Sequence, residues 1–184
     1  VLSRIIVNQN HNINWTNHFR KLLDKNHNAF IFIFNSPETG FWIGASPETL
    51  LKCHNNTVET MALAATRPAN STDMWNEKEI NEQQIVVDYI ANKFKLANLN
   101  YTISPTFNRN AGVVEHLCNT FSARIKNPQQ ITNLLTHLHP TPALAGVPTA
   151  EVIHFLNQTE QHTRRYYGGY IGAVDNEGNF NFFV

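Results

Sequence analysis

The sequence predicts an α+β fold of mostly antiparallel sheets with helices packed against them. Strand-like runs come first, then helices, then strands again. No alternating strand–helix pattern and no Gly-rich phosphate loop is present. The chain has 184 residues, of which 42% are hydrophobic and 15% charged. This composition excludes a disordered protein, and the length suits one domain with its own hydrophobic core.

The first third of the chain is predicted to form short strands with one helix among them. β-branched and aromatic residues, bounded by Asn, Pro and Gly, mark each strand. The predicted strands cover residues 2–7, 29–34, 40–44, 49–52 and 58–64. A helix is expected over residues 16–25, because Phe19, Leu22 and Leu23 share one helical face.

The rest of the chain is predicted to contain the longest helix and a closing hairpin. Residues 74–96 should form this helix, since a core-facing stripe recurs at helical spacing through Ile80, Val87, Ile90 and Phe94. Further strands are predicted at 101–104 and 112–125, and further helices at 129–138 and 150–161. The proline-rich segment HPTPALAGVPT is expected to be a loop. Strands at 169–174 and 179–184, joined by DNEG, should pair as a hairpin.

Charge and hydropathy exclude several classes of partner. Lys and Arg number 14, as do Asp and Glu, so no nucleic-acid or anionic-membrane partner is expected. No apolar run is long enough to span a bilayer, and the first residues lack the layout of a signal peptide. Cys53 and Cys118 could form one disulfide, but a reduced pair in a cytoplasmic protein is the better interpretation.

Glu48 is the first candidate for catalysis. It follows an apolar strand and a Ser-Pro turn, whose proline restricts the backbone and aims the carboxylate reproducibly. Flanking aromatic and leucine side chains could desolvate this carboxylate, which raises its pKa and suits it to donate a proton. The alternative is an ordinary surface turn in which Ser-Pro-Glu starts a short helical turn.

Acidic residues at the front of the long helix are candidates for a metal site. Glu79 and Glu82 are three residues apart, so they share a face and could converge on Mg²⁺, which favours oxygen ligands. The alternative is that these carboxylates complement the positive end of the helix dipole. Zinc is not expected, because His116, His137 and His139 have no Cys or carboxylate at ligand spacing.

The YYGG sequence at residues 166–169 is open to two interpretations, the wall of a pocket or an ordinary strand entry. No Gly-x-Ser-x-Gly elbow and no plausible Cys nucleophile accompanies it. Taken one by one, the residues therefore predict a candidate proton donor and a candidate Mg²⁺ site, and they do not identify the reaction.

Seven segments, read in order, resemble one enzyme family. They are VLSR, GASPETLL, TMALAATRP, EKEINEQQIVVDYI, VEHLCNTF, LHPTPALAGVP and E-x-x-x-R-x-x-Y-G-G-x-x-G. Together they resemble the chorismate-utilising enzymes, and within that family the isochorismate synthases of menaquinone and siderophore pathways. Each segment alone is a weak signal, but seven in the same order are specific. The resemblance covers essentially the whole chain.

The resemblance implies an α/β sandwich of two large antiparallel sheets and an isomerase that converts chorismate to isochorismate with Mg²⁺. In that reaction water adds at C2, the C4 hydroxyl departs and Mg²⁺ anchors the ring carboxylate. By resemblance Glu48 is the general acid that protonates the leaving hydroxyl, and Leu63 lies beside the attacking water. Glu82 matches a Mg²⁺ ligand, with Glu79 as an outer-shell partner.

The resemblance also implies residues that contact the substrate. Ala65 and Thr66 match groups lining it. Positions around the ring and the enolpyruvyl group are matched by His116, Ala143, Tyr167 and Gly168. Two residues depart from the family pattern: LAGT reads LAAT here, so Ala65 adds a methyl group where a positive φ would be costly. Gln83 follows Glu82 where the family usually has His.

Related enzymes differ from this chain in the same segments. Aminodeoxychorismate synthases carry a Lys in the segment that contains Leu63, and anthranilate synthases carry a different Pro-Gly-rich loop in place of LHPTPALAG. A salicylate synthase-type enzyme, another chorismate-utilising enzyme and a non-catalytic domain with the chorismate-enzyme fold stay open as alternatives.

Both ends of the chain are apolar and strand-like, VLSRIIV and NFNFFV. We therefore expect residues 1–184 to be the central part of a single chorismate-binding domain, truncated at both ends. By resemblance, a Lys general base lies two residues before the position of Val1, and a second metal Glu and a carboxylate-binding Lys follow Val184. Such a piece would expose unpaired strand edges, so we expect self-association and inactivity of the isolated chain.

Overall fold

The computed structural model describes residues 2–3, 5–7, 13–111 and 113–184. After a first helix, these residues form four strands, one long helix, three strands, three helices and two strands. The elements are α1 (Trp15–Lys25), β1 (Phe30–Ser36), β2 (Gly40–Ser46), β3 (Thr49–His54), β4 (Thr57–Pro68), α2 (Glu77–Leu96), β5 (Tyr101–Ile103), β6 (Phe107–Ala111), β7 (Val114–Arg124), α3 (Pro128–Leu138), α4 (Pro142–Ala145), α5 (Thr149–Thr159), β8 (Ile171–Val174) and β9 (Phe180–Phe183).

The chain divides into two compact units. Unit 1 comprises Val1–Thr49, Pro140–Gly172 and Phe182–Val184, and unit 2 comprises Leu50–His139 and Ala173–Asn181. The placement of the whole chain within one larger domain stays a prediction.

Unit 1 contains an antiparallel pair, β1 and β2, with an aromatic face. Phe30, Phe32 and Phe34 alternate along β1, and their rings stack in sequence at centroid distances of 6.4 and 6.0 Å. Alternate residues of a strand point to the same side, so the FIFIF sequence builds this face directly. The helix α1 begins after Asn14, whose side chain accepts a hydrogen bond from the backbone N–H of Asn17.

Unit 2 is built on an antiparallel sheet with α2 packed against it. The strand order is β5-β7-β4-β3-β9-β8, and β6 also pairs with β7. β4 and β7 form the longest pairing, and in β4 the buried side chains of Val58, Thr60 and Ala62 alternate with more exposed ones. The hydrophobic core includes Phe94 of α2 and Phe121 of β7, which are fully buried and stack 5.6 Å apart.

The predicted fold class is confirmed, and most predicted elements are present within a few residues of their bounds. The long helix begins at Glu77 instead of residue 74 because a capping box sets its start. The Asn76 side chain accepts from the Glu79 backbone N–H at 3.0 Å, and Glu79 Oε2 accepts from the Asn76 backbone N–H at 2.9 Å. Cys53 and Cys118 are buried and form no disulfide, as predicted.

Three elements differ from the prediction. Residues 2–3 and 5–7 lie in no strand, and Arg4 and Gly112 of the predicted strands lie outside the described residues. The strand β6 was not predicted, because its FNRNA sequence is polar and fully exposed and pairing with β7 is what makes it a strand. The proline-rich segment contains the one-turn helix α4, where Pro142 occupies the first position, whose N–H no helix bond needs.

The predicted core stripe of α2 is correct at its last two residues, is only half-buried at Val87 and is wrong at its first residue. Ile90 and Phe94 are buried, whereas Ile80 is 52% exposed. Ile80 lies at the first turn of the helix, where it borders a cavity of about 480 Å³ that is open to solvent. Along the part of the chain that the structure describes, no helix is long and apolar enough to cross a membrane.

The difference between these two positions of α2 gives a test of the packing. We expect Phe94→Ala to lower the free energy of unfolding by about 3–5 kcal/mol, because it leaves a cavity in the core of unit 2. The exposed Ile80→Ala, on the same helix, is the matched control and should change it by less than about 1 kcal/mol. Urea denaturation measures both, and equal losses would contradict the assignment of the buried face.

Candidate active site

The residues predicted to form the site are divided between the two units. Those in unit 1 are Glu48, Ala143, Tyr167 and Gly168. Those in unit 2 are Leu63, Ala65, Thr66, Glu79, Glu82 and His116.

A β-bulge brings three of the unit 2 residues together. The register of β4 against β7 shifts between Ala64 and Arg67, so Ala65 and Thr66 stand opposite His116 alone. The extra residue of a bulge bends its strand and redirects its side chains. Ala65 has a φ of +55°, a left-handed conformation that costs an L-residue about 1–2 kcal/mol. The structure therefore contains the positive φ at Ala65 that was expected to be unfavourable for a residue with a side chain.

Hydrogen bonds from His116 hold the bulge. Its Nδ1 lies 2.9 Å from the carbonyl oxygen of Ala65 and 3.0 Å from the hydroxyl of Thr66. A carbonyl oxygen only accepts, so the bond to Ala65 requires the hydrogen on Nδ1. In the neutral imidazole, Nε2 is then a hydrogen-bond acceptor. The structure thus joins Ala65, Thr66 and His116 in one hydrogen-bonded group.

The same face of the sheet carries Leu63 and a cation that the sequence did not reveal. Leu63 pairs with Cys118, two residues beyond His116 on β7, and is 37% exposed. Arg109 of β6 is the register partner of His116, so both side chains point to one side of the sheet. The guanidinium of Arg109 contacts the sulfur of Met61. Because β6 itself was not predicted, no sequence signal placed Arg109 here.

The two candidate metal ligands on α2 differ in their availability. Glu79 Oε2 accepts from the backbone of Asn76 in the capping box. The Glu82 side chain is 47% exposed, and its Oε1 lies 3.6 Å from Lys78 Nζ. Among the described residues, no group of three or more His, Cys, Asp or Glu side chains could hold a metal ion. These residues therefore do not complete a Mg²⁺ site, although Glu82 fits as a single oxygen ligand.

Gln83, the departure from the family pattern, is part of the core of unit 2. It is 3% exposed, and its Nε2 donates to the carbonyl of Ala62 at 3.1 Å and to Asn119 Oδ1 at 2.8 Å. Its Oε1 has no hydrogen-bond partner among the described residues. The amide thus joins α2 to β4 and β7, one residue after Glu82.

In unit 1, Glu48 occupies the two-residue break that follows β2. Its backbone carbonyl accepts from the Val184 N–H at 2.9 Å, and the Ser46 hydroxyl donates to the Val184 carbonyl. Both ends of the Ser-Pro-Glu turn are therefore tied to the last residue. Glu48 remains accessible to solvent, yet the surrounding protein desolvates its carboxyl and raises its pKa. A reachable carboxyl with a raised pKa suits proton donation.

Tyr167 and Gly168 line a cavity of about 510 Å³ in unit 1, together with Leu144 and Arg164. Gly168 has a φ of +81°, and an added Cβ would lie 3.4 Å from the Leu144 side chain. Ala143 is exposed on α4, and its neighbours Leu144 and Ala145 line the cavity in its place.

Comparison with known proteins identifies the family. Residues 1–184 match the family described as chorismate binding enzyme. The isochorismate synthase MenF of Bacillus subtilis is 29% identical over 177 residues, which are 90% of this chain and 37% of that protein. The solved structure of MenF, the menaquinone-specific isochorismate synthase from Escherichia coli, matches with a TM-score of 0.67 and 26% identity over 78% of this chain and 36% of the other.

A third likeness concerns the fold alone. Anthranilate synthase component I from Streptococcus pneumoniae superposes with a TM-score of 0.77 at 21% identity, over 93% of this chain and 40% of the other. The chain belongs to the chorismate binding enzyme family and has its fold, as the resemblance implied. It spans between 36% and 40% of the length of these three proteins.

The strained bulge gives a second test. We expect Ala65→Gly to be more favourable for stability than Ala64→Gly by about 1–2 kcal/mol, because only Ala65 has a left-handed backbone that glycine relieves. Ala64 is the matched control, since it lies beside Ala65 in regular pairing, where glycine costs about 0.5–1 kcal/mol. Urea denaturation of both variants measures the difference, and an equal loss at the two positions would show that the bulge carries no strain.

Proposed function

We propose that the whole protein is an isochorismate synthase, which converts chorismate to isochorismate by adding water at C2 and releasing the C4 hydroxyl. Membership of the chorismate binding enzyme family supports the substrate class. The names of the B. subtilis and E. coli relatives support the reaction. The observation that carries the proposal is Glu48, an accessible carboxyl with a raised pKa, at the position that the resemblance assigns to the general acid.

In the proposed reaction, the proton of the neutral Glu48 carboxyl passes to the C4 oxygen as the C4–O bond breaks, so that the hydroxyl leaves as water. A second water forms the bond to C2 and gives its proton to a base, which the resemblance assigns to a Lys before the position of Val1. General acid–base assistance of this kind contributes about 10²–10⁴-fold to a rate. Raising the pKa of Glu48 keeps more of it protonated near neutral pH.

The bulge residues are proposed to bind the substrate. His116 Nε2 is an acceptor suited to a substrate hydroxyl, because Nδ1 is held by the carbonyl of Ala65. Leu63 is proposed to present an apolar side chain beside the attacking water, as the resemblance implies. Mg²⁺ belongs to the proposal with Glu82 as one ligand, and when bound it would neutralise the ring carboxylate. Glu79 is proposed only as a support, since one of its oxygens is used in the capping box.

Chromatography of the reaction tests the function. With the whole protein, chorismate and Mg²⁺, we expect isochorismate, separated from chorismate on a reversed-phase column because the two isomers have the same mass. EDTA should stop the conversion and added Mg²⁺ should restore it. Salicylate with pyruvate would instead indicate a salicylate synthase-type enzyme. Neither binding nor product would indicate a non-catalytic domain, and either outcome would contradict the proposal.

Replacing the proposed acid gives a further prediction. Glu48→Gln should lower kcat by about 10²-fold or more, because the amide cannot supply the proton. The wild-type kcat should fall as pH rises through the raised pKa of Glu48, and this inflection should disappear in the variant. The matched control is Glu38→Gln, which changes an exposed carboxylate in the β1–β2 turn. Near-normal kcat for Glu48→Gln would remove Glu48 from the role of acid.

Glu48→Gln should increase the stability of the protein although it lowers the activity. The folded-state pKa of Glu48 is raised by desolvation, so its contribution to stability is most favourable at low pH and is lost as pH rises through that folded value. Above this pH, Glu48→Gln should therefore raise the free energy of unfolding relative to wild type, while lowering activity. A loss of stability above this pH would contradict the desolvation of Glu48.

A further inference from the structure

A nearly buried carboxylate, that of Glu160, lies directly after α5 in unit 1, and the residue predictions above gave it no role. Its side chain is 6% exposed. Oε1 accepts from the backbone N–H of Ser3 at 2.8 Å, from the Ser3 hydroxyl at 3.0 Å and from Arg164 Nη2 at 2.6 Å. Oε2 accepts from Arg164 Nε at 2.7 Å. The pairing with Arg164 is therefore bidentate, with Nε and Nη2 each donating to one carboxylate oxygen.

Arg164 extends these contacts to the cavity that Tyr167 and Gly168 line. Its Nη1 donates to the carbonyl of Leu144 in α4 at 3.3 Å, and its guanidinium lies 5.9 Å from the ring centroid of Tyr167. The backbone N–H of Tyr167 donates to the Arg164 carbonyl at 2.8 Å. One carboxylate therefore connects the N-terminal segment at Ser3, the helix α4 and the turn formed by residues 164–168.

This turn needs external support. Arg165 has a φ of +51° and Gly168 a φ of +81°, so the backbone enters the left-handed region twice within five residues. A non-glycine residue there costs about 1–2 kcal/mol and persists when surrounding contacts over-determine it. The Glu160–Arg164 pair supplies such contacts immediately before Arg165.

We propose that Glu160 is a positioning residue, whose carboxylate holds Arg164, Ser3 and the 164–168 turn in the geometry that presents Tyr167 and Gly168 to the cavity. The proposal rests on the proposed function in one respect, that this cavity receives part of the substrate. Hydrogen bonds from Arg164 and Ser3 lower the pKa of Glu160 to about 2, so its carboxylate stays ionised at neutral pH. Within the described part of the chain, His162 also faces this carboxylate, with its Nε2 2.9 Å from Ser3 Oγ and 3.9 Å from Glu160 Oε2.

Hydrogen–deuterium exchange tests the positioning without relying on activity. In Glu160→Gln of the whole protein, we expect the backbone amides of Tyr167 and Gly169, which close this turn, to exchange at least about tenfold faster. Amides of the β4–β7 pairing should keep their wild-type rates. The matched control is Glu151→Gln, an exposed position on α5, which should leave all these rates unchanged. Unchanged rates at Tyr167 and Gly169, or an equal increase throughout the protein, would overturn the proposal.

Steady-state kinetics then test whether the contacts of the Glu160 carboxylate affect substrate binding. We expect Glu160→Gln to lower kcat/KM for chorismate by about 10- to 100-fold, mainly through KM, because misplaced binding groups weaken substrate contacts. Arg164→Lys keeps the charge but loses the fork, so it should reproduce the effect. Faster exchange with unchanged KM would separate the turn from substrate binding and overturn the proposal. If the wild-type protein forms no isochorismate, the proposed function fails. The exchange experiment still decides whether Glu160 holds the 164–168 turn.

Discussion

The pairing of β4 with β7 is the constraint on which unit 2 depends. It sets the register that gives the sheet two different faces, one packed against α2 and one carrying Leu63 and His116. Because side chains alternate along a strand, a shift of one residue would exchange these faces. The bulge at Ala65 interrupts the alternation at one place only, and His116 closes it with hydrogen bonds. The site geometry is thus a local exception within an otherwise regular ladder.

Much of this fold was readable because apolar spacing differs between strands and helices. The runs of β-branched and aromatic residues in β1 and β4 and the helical stripe of α2 gave the element types correctly. The features of the fold that were not predicted depend on contacts with residues distant in sequence. β6 is polar and becomes a strand only through pairing with β7. Gln83 is buried because its amide bonds to Ala62 and Asn119, an interaction that no spacing rule contains.

The candidate site was predicted less completely than the fold. Segment resemblance named His116, Ala65 and Thr66, and the structure joins them, but the bulge and the hydrogen on Nδ1 follow from strand register. The use of Glu79 in the capping box had a readable signal, since Asn76 precedes it by three residues. Arg109 had none, because its position depends on the unpredicted β6.

Two glutamates of unit 1 show why residue type alone does not determine a role. Glu48 is desolvated and its pKa rises, whereas Glu160 receives hydrogen bonds from Arg164 and Ser3 and its pKa falls to about 2. The first environment favours the neutral carboxyl, which can give up a proton, and the second favours a permanent anion, which can hold neighbouring groups. Environments that push two similar carboxyl groups in opposite directions separate chemistry from positioning. Within unit 1, these opposite environments support the proposals that Glu48 donates a proton and that Glu160 holds the 164–168 turn.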